Sequence, residues 1–142
     1  MSETPTDIIH RYYDFYNRRQ FDEAARLFAP DAVIEHAPYG TQVRRGGDGY
    51  VESAKLSMEA FPDAQIEVLA IHPKGDTVFE VELVASGTHR GLLDMGAYGR
   101  FEASGATIRL HHREVLEIRD SLIEYAGVTF DIQELIAQFS RS

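Results

Sequence analysis

The chain predicts an α+β domain: a curved, largely antiparallel sheet with helices on its concave side. Three observations carry that expectation. Helical apolar spacing is gathered in the first half of the chain, period-two alternation dominates the second half, and the strands there are joined by short turns of hairpin type. A sheet wrapped over helices leaves a hollow between the two layers, which is where a ligand would sit. At 142 residues and 44% hydrophobic, one domain spanning 1–142 is long enough to bury a substantial core.

The helices come first. Thr4 can cap a helix with Pro5 at its first position, and Ile8, Ile9, Tyr12, Tyr13 and Tyr16 then recur at three- and four-residue steps. A shorter second helix is expected over Phe21, Ala24, Ala25, Leu27 and Phe28, with Pro30 helping to end it. The β-branched run Asp31-Ala32-Val33-Ile34-Glu35-His36 reads as a strand. Pro38, Gly40 and the cluster Gly46-Gly47-Asp48-Gly49 are expected to form an irregular connection, after which Tyr50 to Phe61 forms a third helix with Ala54, Met58 and Phe61 near one stripe.

Beyond Pro62-Asp63 the period changes. Ile66, Val68 and Ala70 alternate up to His72, and Pro73-Lys74-Gly75-Asp76 turns the chain. Phe79, Val81, Leu83, Ala85, Gly87 and His89 share one phase of the clearest strand. Gly91 to Gly99 reads as a flexible loop with exposed Leu92, Leu93 and Met95, suited to covering a pocket mouth. Strands Thr107–Ile118 and Leu122–Phe130 follow, joined at Arg119-Asp120-Ser121, and Asp131 caps a short final helix with Leu135, Ile136 and Phe139 inward.

Composition excludes several classes of function. Twenty-three acidic against fourteen basic residues give a formal charge of −9, so nucleic acid and anionic membrane are not expected partners. With no cysteine, thiolate nucleophiles, disulfides and Cys-type metal sites are absent. The amino-terminal residues carry neither a basic start nor an apolar core of signal-peptide length, and the chain is expected to be cytoplasmic. The glycine cluster lacks the spacing and the Lys-Ser/Thr of a phosphate loop, and no Gly-x-Ser-x-Gly elbow occurs. His111 and His112 are adjacent on a strand, point to opposite faces and so do not share one metal ion. Neither a metal nor a cofactor is expected.

The residues that remain point to proton transfer. His36 ends a strand under a tyrosine-rich helix, and a histidine near neutrality beside a tyrosine donor, Tyr12 or Tyr16, can move a proton and stabilise an enolate. His89 closes an apolar strand face as a substrate-orienting group, and Tyr16, Met58, Phe61 and Phe79 are the expected substrate-contacting walls. The phase of Ile108, Leu110, Leu116 and Ile118 puts His112 on their face and His111 on the other, without deciding which face is concave. Glu35 and Glu124 are read as solvated, and Asp131 as a helix cap.

Several segments in order, Asp22-Glu23-Ala24-Ala25-Arg26-Leu27-Phe28-Ala29-Pro30-Asp31-Ala32-Val33, Phe61-Pro62-Asp63, Ser86-Gly87-Thr88-His89-Arg90-Gly91, Ile123-Glu124-Tyr125 and Phe130-Asp131 with Leu135, resemble the SnoaL-like polyketide cyclases and ketosteroid isomerases of the nuclear-transport-factor-two-like superfamily. The resemblance covers nearly the whole chain. It implies a cone: a strongly bent mixed sheet over three helices, paired as a homodimer through the outer sheet face. Laid on the isomerases, it puts His36 at the base position, Tyr12 at the oxyanion tyrosine, and His111 at or next to the protonated oxyanion Asp, so that His stands for Asp at two positions. Together these readings lead to a cofactor-free enzyme acting on a small, largely apolar carbonyl compound. The alternative is a non-catalytic ligand-binding or partner-binding domain of the same fold.

Overall fold

The structure, a computed structural model, describes residues 4–36 and 43–140. The turn expected at Pro38 and Gly40 lies outside them. Helix α1 (Pro5–Asn17) begins as its sequence requires: Thr4 Oγ1 accepts from the Asp7 amide and Asp7 Oδ2 accepts from the Thr4 amide, both at 3.2 Å. That capping box, with Pro5 in the first turn, fixes the helix start and turns Ile8, Ile9, Tyr12 and Tyr13 into the core. At its other end the Asn17 side chain both donates to and accepts from the backbone of Ile66, each at 2.8 Å, tying the helix to the sheet edge.

Helix α2 (Phe21–Ala25) is shorter than its apolar spacing suggests, because Leu27 leaves the helix and Phe28 starts strand β1 (Phe28–His36). Pro30 therefore sits inside a strand rather than after a helix. It falls where the pairing of β1 shifts register between Phe28 and Val33, a place that tolerates a missing N–H. The glycine cluster is a second correction. Strand β2 (Arg44–Arg45) leads directly into helix α3 (Gly46–Ala60), so Gly46-Gly47-Asp48-Gly49 is the first turn of a helix. A Cβ at Gly46, Gly47 or Gly49 would come within 2.8 Å of Pro30 O, 2.7 Å of Ala25 O and 2.8 Å of Arg44 Cβ respectively. The glycines let α3 press against α2, β1 and β2.

Strands β3 (Gln65–Pro73) and β4 (Val78–Thr88) form a hairpin. The next segment folds as a two-stranded ribbon, β5 (Leu93–Asp94) and β6 (Arg100–Phe101), around a 3-10 turn at Gly96–Tyr98. Of the three apolar residues expected to be exposed there, Leu92 is, and the other two are corrected: Leu93 and Met95 are buried at 2% and 0% exposure. They supply the core beneath the ribbon, and the amides of Arg90 and Gly91 close the carboxyl end of α3 on Ala60 O. Strands β7 (Thr107–Arg119) and β8 (Leu122–Phe130) then precede α4 (Ile132–Phe139), whose cap Asp131 accepts from the Glu134 amide at 3.1 Å. Asp120 and Ser121, both at positive φ, make the β7–β8 turn.

The main sheet has the order β2-β1-β8-β7-β4-β3. Among the described residues only β1 and β8 pair in parallel, so the sheet is mixed, and it is not closed into a barrel. One core cluster joins α1, α3 and the sheet through Ile8, Tyr12, Phe28, Tyr50, Val81 and Leu116. A second joins the end of α3, the ribbon and α4 through Phe61, Met95, Leu110 and Leu135. Between the two clusters, space remains.

Candidate active site

That space is a hollow of about 90 Å³. At roughly 10–15 Å³ for each water, it admits a handful of waters or one small organic molecule. Its walls are mostly apolar: Phe61, Ala64, Ile66, Leu83, Ile108, Leu110 and Leu135. The polar residues on the lining come from four elements, with strand β4 contributing Ser86. Helix α1 contributes Tyr12, Tyr13 and Tyr16, helix α3 contributes Tyr50, Ser53 and Ser57, and strand β7 contributes His112 and Glu114.

Glu114 is the residue that sequence reasoning missed. It is 3% exposed, held among apolar side chains, and both of its carboxyl oxygens accept from tyrosines. Tyr13 Oη donates to Oε1 at 2.5 Å and Tyr12 Oη to Oε2 at 3.3 Å. The shorter contact has the length of a charge-assisted O–H···O bond. The arrangement follows from two periodicities. Tyr12 and Tyr13 lie on the buried face of α1, and Glu114 occupies the phase of β7 that also carries Ile108, Leu110, Leu116 and Ile118. The signal was present in that alternation, since a carboxylate in an apolar phase needs a partner.

The phenols are electrostatically set. Burial, reinforced by the Glu114 charge, raises both Tyr12 and Tyr13 well above the usual tyrosine value of 10.0. Tyr50 is raised well above it too, first by burial and then by Tyr16 and Glu114. Burial also raises Tyr16, against a lowering by Ser57 and Arg19, and its hydroxyl shares a 2.8 Å hydrogen bond with Ser57 Oγ. All four are therefore neutral hydroxyls, able to donate at any physiological pH. Tyr50 packs its ring on Phe28, at 5.1 Å between centroids, and on Tyr12, at 5.5 Å.

Of the other expected site residues, Tyr12, Tyr16 and Phe61 line the hollow. His111 does not. It projects from the exposed phase of β7, while its neighbour His112 faces the hollow and stacks on Phe130 at 4.4 Å. The strand alternation gave His112 the apolar phase, and that phase is the concave one. His89 is likewise corrected: it is fully buried in the second core cluster, outside the lining. Its ring stacks on Phe139 at 4.3 Å and lies 5.5 Å from Phe61. Its Nδ1 accepts from the Ser104 amide at 3.2 Å and pairs with Ser104 Oγ at 2.9 Å. Met58 and Phe79 pack into the clusters and are not part of the lining. For His36 the backbone is defined, with its Cα opposite Val128, a lining residue. The His36 side chain lies outside the described residues. Glu35 and Glu124 are exposed; Glu35 accepts from Tyr125 and Glu124 pairs with Arg119.

Among the described residues no group of three or more His, Asp or Glu is placed to hold a metal ion, and no helix is long and apolar enough to cross a membrane. The family model for SnoaL-like domains matches residues 9–126. No curated protein matches the chain. Among solved structures, a candidate SnoaL-like polyketide cyclase from Jannaschia sp. CCS1 superposes with a TM-score of 0.80 at 13% identity, over 100% of this chain and 99% of that one. IdmH, a candidate polyketide cyclase from Streptomyces antibioticus, gives 0.77 at 24% identity, over 96% of this chain and 98% of its own. A phenazine biosynthesis-related protein from Pseudomonas aeruginosa gives 0.71 at 19% identity, over 95% of this chain and 84% of that one. At these identities the likeness is one of fold.

Proposed function

The chain belongs to the SnoaL-like domain family, and we propose that its hollow is the active site of a cofactor-free acid/base enzyme. The substrate is a small, largely apolar carbonyl compound that undergoes ring closure or isomerisation through an enolate. One observation carries this reading: a carboxylate buried on the wall of an apolar hollow and gripped by two neutral phenols.

A base in a water-poor site can take a proton from carbon next to a carbonyl, provided the charge that develops on oxygen meets a donor. In the step proposed, the C–H bond breaks, its proton passes to Glu114, and the electron pair moves onto the carbonyl oxygen as an enolate. Isomerisation returns the proton to a different carbon. Ring closure instead uses the enolate carbon to form a C–C bond at a second carbonyl of the same molecule, whose π bond breaks to leave an alkoxide that takes the proton back from Glu114. Tyr12 and Tyr13 orient the carboxylate. The apolar walls exclude water and hold the carbon skeleton. His36, the base that the family resemblance singles out, is the second proton-transfer group of the proposal.

Hydrogen–deuterium exchange next to the carbonyl of small cyclic ketones and diketones, followed by NMR in heavy water, tests it. Wild-type protein is expected to accelerate exchange, and Glu114→Gln to lose about 100-fold or more of that acceleration, the usual span for a positioned acid/base group. Undiminished exchange in the Glu114→Gln variant, with loss in His36→Ala, would move the base to His36. Undiminished exchange in both would remove the acid/base reading. The homodimer that the resemblance implies belongs to the same proposal. Its surface would be the outer sheet face, where Arg113 lies 3.8 Å from both Glu80 and Glu82.

A further inference from the structure

Tyr50 stands apart from the other tyrosines of the hollow. Tyr12 and Tyr13 spend their single hydroxyl protons on Glu114, and the Tyr16 hydroxyl is paired with Ser57. The Tyr50 hydroxyl is buried and has no hydrogen-bond partner among the described residues. Folded proteins rarely tolerate a buried hydroxyl in that state, because it gives up water without replacement, and each such group calls for an explanation. Local packing makes the position firm. Tyr50 is 2% exposed, its ring is held by Phe28 and Tyr12, and it sits in the first half of α3, whose opening glycines set the helix hard against its neighbours. The hydroxyl is therefore held open in a fixed place on the lining of the hollow.

We infer that Tyr50 is the ligand's own hydrogen-bond donor, its hydroxyl kept unpaired so that it can donate to the ligand oxygen that becomes negatively charged. The inference rests on the reading of the hollow as an acid/base site, and it divides the labour within it. Tyr12 and Tyr13 serve the protein carboxylate; Tyr50 serves the substrate. A donor without a partner in the empty site loses no bond when the ligand arrives, so its whole hydrogen bond counts toward binding, and more strongly for an anionic oxygen than for a neutral one. The ligand class that follows is a planar compound with one enolisable or enolate-like oxygen.

The probe is 4-nitrophenol, whose oxygen on a planar carbon imitates an enolate and whose absorbance reports its ionisation. Wild-type protein is expected to bind it saturably. Tyr50→Phe, which removes only the hydroxyl, is expected to weaken binding about tenfold, as loss of one hydrogen bond to a charged oxygen does, while its melting temperature stays level or rises because no native bond is lost. Tyr13→Phe is the contrast, with a lower melting temperature from the broken bond to Glu114. Equal 4-nitrophenol affinity in wild type and Tyr50→Phe would overturn the assignment. So would a fall in melting temperature for Tyr50→Phe of the size seen for Tyr13→Phe, which would mean that the hydroxyl has a protein partner in solution. If Glu114→Gln is inactive in exchange while Tyr50→Phe binds the probe unchanged, Tyr50 alone loses its role. No saturable binding to wild type would sink this inference, while the exchange assay would still decide the role of Glu114.

Discussion

The two core clusters each bury an ionisable side chain among aromatic rings, and they put it to opposite uses. Around Glu114 the helices and the sheet stand apart, leaving the carboxylate on the wall of a hollow, held by the phenols of Tyr12 and Tyr13. Around His89 they close completely. Its ring is stacked on Phe139, Nδ1 is fixed by Ser104, and Nε2 is shut away from solvent with no hydrogen-bond partner among the described residues. The backbone groups of His89 also bond to Ala106 and Gly105, so the residue pins the end of β4 to the segment leading into β7. Burial of a titratable group is therefore no mark of chemistry by itself. What separates the two is empty space beside the group.

The largest effect that would break this comparison comes at Glu114. Glu114→Gln should remove about 100-fold or more of the catalysed exchange and leave a folded protein by circular dichroism, because the amide oxygen still accepts from one tyrosine. His89→Ala should do the reverse. It deletes a buried ring and strands Ser104, so a loss of about 2–3 kcal/mol in denaturant unfolding is expected, with exchange activity retained in the folded fraction. Loss of activity at full stability in His89→Ala would put that residue back among the substrate-orienting groups. Tyr13→Phe falls between, at about 1.5 kcal/mol for a hydrogen bond to a charged group.

The sequence made the architecture readable and the site only half so. Helix and strand periods, the Thr4 and Asp131 caps and the Arg119–Ser121 turn are local effects, and each appears where its residues call for it. What local reasoning could not reach were distances between segments far apart in the chain. Gly46 to Gly49 resembles a loop until Pro30 and Ala25 are seen pressing on it. Leu93 and Met95 resemble an exposed lid until the second core closes over them. Tyr12 was found from its helical face. Its partner Glu114 lies 102 residues away, and only its place in an apolar phase of β7 hinted at it.

Acid and alkali should strain the two regions differently. Burial, opposed by the backbone at Phe101 and Gly91, lowers His89 from the usual 6.5. The unfolded chain then takes up a proton more readily than the folded one, so the contribution of His89 is complete above about pH 6.5 and is lost as pH falls through its lowered folded value. The tyrosines run the other way. Tyr12, Tyr13 and Tyr50 are raised above 10.0, so their contribution is complete below about pH 10 and is lost as pH rises through their raised folded values. Melting temperatures measured across pH should show the acid slope shrink in His89→Gln, leaving the part due to Asp63, whose carboxyl is lowered by its bonds from Thr88, and the alkaline slope shrink in Tyr13→Phe. Ultraviolet titration of the phenols should show the buried set ionising only as the protein unfolds.

The smallest effects test the geometry of β7. His111 and His112 differ by one step on the strand, and only His112 reaches the hollow. His111→Ala, on the exposed face, should stay within about 0.5 kcal/mol of wild type and leave exchange and 4-nitrophenol binding alone. His112→Ala removes a half-buried ring stacked on Phe130 and should weaken 4-nitrophenol binding by opening the wall of the hollow. If the two variants changed places, with His111 carrying the binding effect, the strand would have to be turned over in solution. Because side chains alternate with period two, that one exchange would also carry Glu114 out of the hollow and leave Tyr12 and Tyr13 without their acceptor.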